Sequence, residues 1–346
     1  MSHRLSTGLS FSRLSDGLIV HDIPESTLPS LLRNVEIRST NGFIDFFRCV
    51  DRNPGLGRVV TQIKLDLRDY QGVPRLQDLV VSLRHLPFID TFELHAPIEL
   101  LGPLSESRPP VFPALSSFTS CYNTRDVERF LHVNTRVEDV TISPIKQHGD
   151  EFQNGPPFPL PSLRSFLGPS ALAGTVLGGS KVNSPYVCWD DHNQNLPTIL
   201  QHIAQSTVPV SELGNLIPHW GAVPVKEIAH QLPRLTKLRF RIGRYGMRKP
   251  RGPEEDYEAR ETFKKDLTLA LSDFKSLVAL DLDEPLFVWD RDQEEEDLLL
   301  CHRWVDACPS LEEITFFSGM RYQRSGLVWY QVEEGRDLEN SRPKVN

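Results

Sequence analysis

Residues 233–240 read Pro233-Arg234-Leu235-Thr236-Lys237-Leu238-Arg239-Phe240. A first apolar residue is followed by a second after three positions and a third after five, which is typical of a turn that enters a half-buried strand. The same spacing recurs in copies that begin at Val60, Ile89, Leu115, Val137, Leu163, Val210, Leu235, Leu277 and Leu311. The copies at Leu115, Leu163 and Val210 keep only the first two positions.

The copies are regularly spaced, because most begin 22 to 34 residues after the preceding one. That period is typical of stacked repeat proteins, which usually bind other proteins. A degenerate copy at Val182-x-x-Pro185-x-Val187 fills the long step between Leu163 and Val210. Helical periodicity between the strands predicts helices near residues 75–86, 124–131, 196–205, 223–232, 255–274 and 293–306.

An order of strand, helix and strand predicts a parallel sheet with helices on its outer side. The expected fold is therefore an α/β repeat solenoid with nine or ten parallel strands. With one strand per repeat the sheet is expected to curve, with strands on the concave face and helices on the convex face. The predicted segments are a poorly ordered stretch 1–30, a strand-helix N-terminal cap 31–58, the repeat region 59–320, and a C-terminal cap and tail 321–346.

Composition excludes several classes of function. The net charge of -8 argues against general nucleic-acid affinity. The sequence contains no apolar run long enough for a transmembrane helix, and residues 1–5 lack the apolar stretch of a secretory signal. Five scattered cysteines are typical of reduced thiols. We therefore expect an intracellular protein, cytoplasmic or nuclear, that binds neither nucleic acid nor membrane.

The copies resemble degenerate leucine-rich repeats, and their order resembles F-box/leucine-rich-repeat proteins of the basidiomycete fungal type. The resemblance covers about residues 30–320 and is carried by Leu32-Arg33-Asn34-Val35-Glu36-Ile37, Phe43–Val50, Asn53-Pro54-x-Leu56-x-x-x-Val60, residues 158–169 and Gln231-Leu232-Pro233-Arg234-Leu235. It implies an irregular leucine-rich-repeat solenoid. It also implies a substrate receptor of a cullin-type ubiquitin ligase, with a Skp-type adaptor and a cullin as partners.

Two features depart from that family. The asparagine that stacks eight residues after the first leucine is matched only by Asn123, so the turns must satisfy their backbone groups in another way. Residues 1–30 lack the Leu-Pro-x-Glu opening of an F-box. The F-box is therefore expected to be missing or degraded, which leaves the substrate-reading part of a receptor.

Strand side chains alternate, so the second, fourth and sixth residues after each leading position are expected to point away from the core. In the last strands these positions supply the candidate partner-binding residues Lys237, Arg239, Arg241, Asp281, Asp283 and Phe317. If the two strands are neighbours, Arg239 lies beside Asp281 and Arg241 beside Asp283. The pattern fits a cross-strand charge ladder, a polar recognition strip, or both together.

Catalytic and metal-binding patterns are weak. Cys188, Asp190, Asp191 and His192 lie close in sequence, but no second pair of zinc ligands accompanies them. The sequence contains no phosphate-binding loop, no Gly-x-Ser-x-Gly and no His-Glu-x-x-His. We therefore predict non-enzymatic protein–protein recognition, with no cofactor and no metal. An α/β hydrolase-like or other enzyme, and a decayed paralogue with no partner, remain the alternative hypotheses.

Overall fold

The computed structural model describes residues 9–10, 32–67, 83–95, 109–121, 125–143, 157–189, 195–220, 225–243, 253–284 and 293–332. The chain divides into two compact units, Met1–Val182 and Asn183–Asn346. Both are α/β units built on an open, mostly parallel sheet with helices in the connections. The predicted α/β class is therefore confirmed. None of the described helices combines the length and the apolar character needed to cross a bilayer.

The first unit contains seven described strands, each hydrogen-bonded in parallel to the next. They are β1 (Leu9–Ser10), β2 (Asn34–Ile37), β3 (Gln62–Asp66), β4 (Thr91–His95), β5 (Ser117–Ser120), β6 (Asp139–Ile142) and β7 (Ser165–Pro169). Its described helices are α1 (Thr40–Arg52), α2 (Pro54–Gly57), α3 (Arg125–Val133) and α4 (Ser170–Val176). Ser39 caps α1, because its hydroxyl accepts from the amide of Gly42.

The described part of the second unit contains five parallel strands followed by an antiparallel hairpin. The strands are β8 (Tyr186–Cys188), β9 (Glu212–Ile217), β10 (Lys237–Ile242), β11 (Ala279–Asp283), β12 (Glu313–Thr315), β13 (Arg321–Ser325) and β14 (Val328–Val332). The described helices are α5 (Leu196–Ala204), α6 (Val225–Gln231), α7 (Pro253–Ala270) and α8 (Gln293–Ala307).

The repeated apolar positions form the buried side of each sheet. In the second unit, strand register aligns Leu213, Leu238, Leu280 and Ile314, none more than 1% exposed. In the first unit it aligns the equivalent residues Ile63, Phe92, Phe118, Val140 and Phe166. The helices lie on this side, because Phe130 of α3 contacts Phe118 with ring centroids 4.8 Å apart, and Phe263 of α7 contacts Phe240 at 5.4 Å.

A second regularity appears at the start of nine of the described parallel strands. Two successive amides donate to one carbonyl at the start of the preceding strand: Asp90 and Thr91 donate to Thr61 O at 2.7 and 3.2 Å. The same arrangement uses the carbonyls of Arg33, Asp90, Ser116 and Glu138 in the first unit and Asn183, Ser211, Thr236 and Val278 in the second. These bonds tie successive repeats together through backbone groups alone. Asn123, which fits the asparagine position, lies outside the described residues.

Most predicted elements coincide with observed ones, and three differences are informative. The predicted helix 75–86 falls largely outside the described residues, and within them Leu83 is helical while residues 84–85 form a turn. Among the described residues the first unit has seven parallel strands and the second five, where nine or ten were predicted for the whole chain. Helix α4 and the hairpin β13–β14 were not predicted, because neither carries the repeated apolar spacing. The segment 1–30 lies outside the described residues apart from Leu9–Ser10.

Candidate functional site

The second unit exposes one side of its sheet as a surface of charged and aromatic side chains. Burial alternates along β10, where Leu238 and Phe240 are buried while Lys237 and Arg239 are partly exposed. The exposed side lies opposite the helices. We call it the polar face, and it consists of Tyr186, Glu212, Lys237, Arg239, Arg241, Asp281, Asp283, Glu313 and Arg321.

The predicted pairing between β10 and β11 is confirmed. Arg239 aligns with Asp281 and Arg241 with Asp283. The distance from Nε to Oδ2 is 3.9 Å in the first pair and 3.1 Å in the second. All four side chains are partly exposed, so each pair contributes at most about 1 kcal/mol to stability. Stability alone therefore accounts for little of this arrangement.

The charges continue into the flanking strands. Arg239 Nη2 lies 3.8 Å from Glu212 Oε2 on β9, and Arg321 Nη2 lies 2.7 Å from Glu313 Oε2 at the other side. Burial raises the pKa of Asp281, while Arg239 opposes that shift. The polar face thus carries stripes of opposite sign that run along the strands. Such a pattern favours a partner with complementary charges and disfavours others.

Tyr186 is a member of the polar face that the sequence analysis missed. It aligns with Gly214 on the neighbouring strand, and its ring occupies the space that a β-carbon at position 214 would need. Burial raises the pKa of the Tyr186 phenol, Arg241 opposes the shift, and Asp281 and Asp283 add to it. The ring therefore lies within the electrostatic field of the charged stripes. The signal available in the sequence was Gly214, a glycine on β9 at the position aligned with Arg239 on β10.

The side-chain amide of Asn215 lies on the buried side of the sheet and links strands that carry the polar face. Asn215 is fully buried at the third apolar position of its repeat. Its Oδ1 accepts from Trp189 Nε1 at 2.8 Å, and its Nδ2 donates to the carbonyl of Arg239 at 2.8 Å. Both ends of the amide are satisfied, so a polar residue is tolerated at a core position. Asn215 thereby links the end of β8 to β9 and β10.

Phe317 is a correction to the sequence analysis, which placed it among the exposed partner-binding residues. The structure leaves it only 3% exposed. Strand β12 ends at Thr315 and the chain turns, with Gly319 N donating to Phe316 O at 2.8 Å. The strand alternation therefore no longer applies at position 317. The Phe317 ring contacts Trp220, with centroids 4.6 Å apart.

An ion pair lies beside that aromatic contact. Arg260 on α7 donates to both carboxylate oxygens of Glu284, each at 3.2 Å, and Trp220 Nε1 donates to Glu284 Oε2 at 2.9 Å. Carboxyl ends of parallel strands often carry catalytic groups. Here the carboxylate is already engaged by three donors. We interpret it as a structural tie between β9, β11 and α7.

Of the cysteine cluster considered from sequence, only Cys188 lies within the described residues. Cys188 is buried, and burial raises the pKa of its thiol to about 12. At neutral pH the group is a thiol and not the nucleophilic thiolate. Asp190, Asp191 and His192 lie outside the described residues. Across the described ranges, no three His, Cys, Asp or Glu side chains are grouped as metal ligands would be.

No protein-family model matches the chain, and no curated protein is significantly similar to it.

Proposed function

We propose that the chain is a non-enzymatic protein-recognition module that binds its partner through the polar face of the second unit. The observation that carries this proposal is the pairing of Arg239 and Arg241 with Asp281 and Asp283 on a partly exposed sheet surface. Exposed ion pairs add little stability, whereas they contribute strongly to partner choice. Tyr186 adds an aromatic ring of the kind enriched at binding hot spots.

We also propose that each unit is a stretch of irregular leucine-rich-repeat solenoid, with the strands on the concave side. Two regularities support this. The apolar residues of successive repeats align in strand register, and nine of the described parallel strands begin with the same pair of amides on one carbonyl. Both are expected where similar units stack in sequence order.

The resemblance extends the proposal to a substrate receptor of a cullin-type ubiquitin ligase. In that role the polar face binds the substrate, and docking of a Skp-type adaptor would fall to whatever remains of the degraded F-box in the segment before Leu32. That segment lies outside the described residues apart from Leu9–Ser10. We place this activity in the cytoplasm or nucleus.

Affinity purification from the source cell with mass spectrometry tests the recognition function. The tagged chain is compared with Arg241→Glu on the polar face and Lys226→Glu on α6. Both variants reverse an exposed cation that lies near a carboxylate, Asp283 or Asp266. A true partner is retained by the wild type and by Lys226→Glu, and is reduced at least tenfold by Arg241→Glu. Equal recovery with both variants contradicts binding through the polar face.

The same purification tests the ligase role separately. A Skp-type adaptor and a cullin that co-purify with the wild type and with Arg241→Glu support a receptor, because docking and substrate reading use different segments. If a partner is retained while adaptor and cullin are absent, the ligase role is wrong and the recognition function stands.

A further inference from the structure

Strand β14 forms one edge of the second unit's sheet. Within the described ranges it is the last strand in the order, and β13 alone pairs with it. It reads Val328-Trp329-Tyr330-Gln331-Val332, with no charge and no proline. Natural edge strands are usually protected by charges, proline or bulges, because an unprotected edge recruits another strand. The described part of β14 carries no such protection.

Backbone hydrogen bonds determine which way each residue of β13 faces. The amide of Arg324 donates to the carbonyl of Glu312 at 2.9 Å, so Arg324 directs its backbone groups toward β12. In an antiparallel strand, successive residues direct these groups to opposite sides. Gln323 therefore directs its N–H and C=O toward β14.

The same alternation fixes the orientation of β14. Gln323 is paired with Tyr330, so the backbone groups of Tyr330 are engaged with β13. Those of Trp329 and Gln331 consequently point to the free edge. This edge thus presents two N–H donors and two C=O acceptors. They belong to two residues that lie two positions apart, as the alternation of a strand requires.

Apolar side chains cluster at this edge and at the turn before it. Leu327 is 91% exposed, Val328 51% and Tyr330 37%. Trp329 differs, because its side chain is buried on the opposite face of the hairpin. The edge therefore combines open backbone groups with accessible apolar surface, which is the combination used in strand addition.

We propose that β14 pairs antiparallel with β14 of a second copy of this chain, with Tyr330 on the two-fold axis. In this register Trp329 of each copy exchanges two backbone hydrogen bonds with Gln331 of the other, so every outward group of both residues is used. Tyr330 meets Tyr330 of the second copy in a non-hydrogen-bonded pair, where side chains lie closest.

The sequence of the strand favours a second copy over an unrelated peptide. Val328 and Val332 are equally spaced about Tyr330, so each valine meets the other valine of the second copy. The strand carries no charge that would repel its own copy. Since paired residues share a face, Tyr330 lies on the same face of the sheet as Gln323 and Glu313. The polar faces of the two copies therefore point to the same side of the dimer. The dimer thus presents two binding surfaces together, whichever partner they bind.

Sedimentation velocity of the full chain over a wide range of concentration tests the pairing. A five-residue strand spans about 17 Å, so the dimer is expected to be weak and to dissociate on dilution. Gln331→Pro removes an outward N–H without touching the ladder to β13, and is expected to weaken dimerisation at least tenfold. Gln331→Ala keeps that N–H and is expected to dimerise like the wild type. A wild type that is monomeric throughout, or equal dimerisation of both variants, overturns the proposal.

Disulfide trapping tests the register independently of affinity. Tyr330→Cys brings two cysteines together at the axis, within the Cα separation of about 4.4–6.8 Å that a disulfide needs. Val328→Cys places them about 14 Å apart along the strands. Diamide oxidation is expected to cross-link Tyr330→Cys, and not Val328→Cys or the wild type with its free cysteines. Absence of the Tyr330→Cys cross-link at concentrations where the wild type dimerises overturns the proposed register.

Discussion

The ring of Tyr186 lies across Gly214 of the neighbouring strand, in the space that a β-carbon at position 214 would occupy. On the adjacent strand, the residue aligned with Gly214 is Arg239. The missing side chain therefore lets an aromatic ring settle next to the charged stripes of the polar face. Tyrosine and arginine are both enriched at binding hot spots, which makes this contact the centre of the proposed recognition surface.

Gly214→Ala is expected to displace Tyr186 and destabilise the second unit. The added carbon would overlap ring atoms including Cγ, which cannot move without moving the whole ring. Overpacking of this kind costs about 1–3 kcal/mol. Urea denaturation measures the loss. The double variant Gly214→Ala/Tyr186→Ala serves as control: it should recover much of the loss, and strictly additive effects would show that the two residues do not interact.

Asn215→Ala is expected to lower the free energy of unfolding more than an ordinary surface change does. The substitution leaves the buried Trp189 N–H and the carbonyl of Arg239 without this partner. Each buried polar group left unsatisfied costs about 1–3 kcal/mol. Adding Trp189→Phe removes the indole donor, so the double variant should lose less than the sum of the singles. Urea denaturation of all three variants checks this, and a loss below about 0.5 kcal/mol for Asn215→Ala would contradict it.

Exchanging the charges of one cross-strand pair separates stability from recognition. Arg241→Asp places a carboxylate opposite Asp283 and is expected to cost at most about 1 kcal/mol. Arg241→Asp/Asp283→Arg restores an opposite pair and should restore stability. Partner capture should fail with both variants, because the positions of the charges are changed. If the double variant still captures the partner fully, the ion pair is a cross-strand charge ladder that takes no part in recognition.

Glu128 on α3 makes the first unit's stability depend on pH. Burial raises the pKa of its carboxyl from 4.5 to about 7 in the folded state, and Arg125 opposes the shift. The folded state therefore binds a proton that the unfolded state releases between these values, so this residue's contribution to stability falls as pH rises from about 4.5 to 7.

Glu128→Gln is expected to raise the thermal midpoint at pH 8 and to change it little at pH 4, because the neutral amide avoids burying a charge. Asp126→Asn on the same helix is the control. It removes a carboxylate from the first turn, where the helix dipole favours it, and should not stabilise at pH 8. A midpoint for Glu128→Gln below the wild type at pH 8 would show that the carboxylate is favourable where it lies.

Much of the sheet was predictable because the repeated spacing is a local property of the chain. Leu235, Leu238 and Phe240 alternate with polar residues, and such alternation has only one way to bury its apolar side. The helices between strands follow from the same argument at a period of 3.6 residues. Even the contact between Arg241 and Asp283 follows from period and strand order, since equivalent positions of neighbouring repeats meet in register.

The rest depends on contacts between residues far apart in the sequence. Phe317 is buried because β12 ends two residues earlier and because its ring packs against Trp220. The repeated apolar spacing predicts neither the end of the strand nor this contact. Tyr186 belongs to the polar face because Gly214, many residues later, leaves room for its ring.

The sequence by itself therefore determined which positions face the core and in what order the strands follow. Only the tertiary structure decided which outward side chains remain accessible and which strand forms the edge of the described part of the sheet. The physical reason is that periodicity controls the direction of a side chain, whereas its exposure depends on what the rest of the chain places against it.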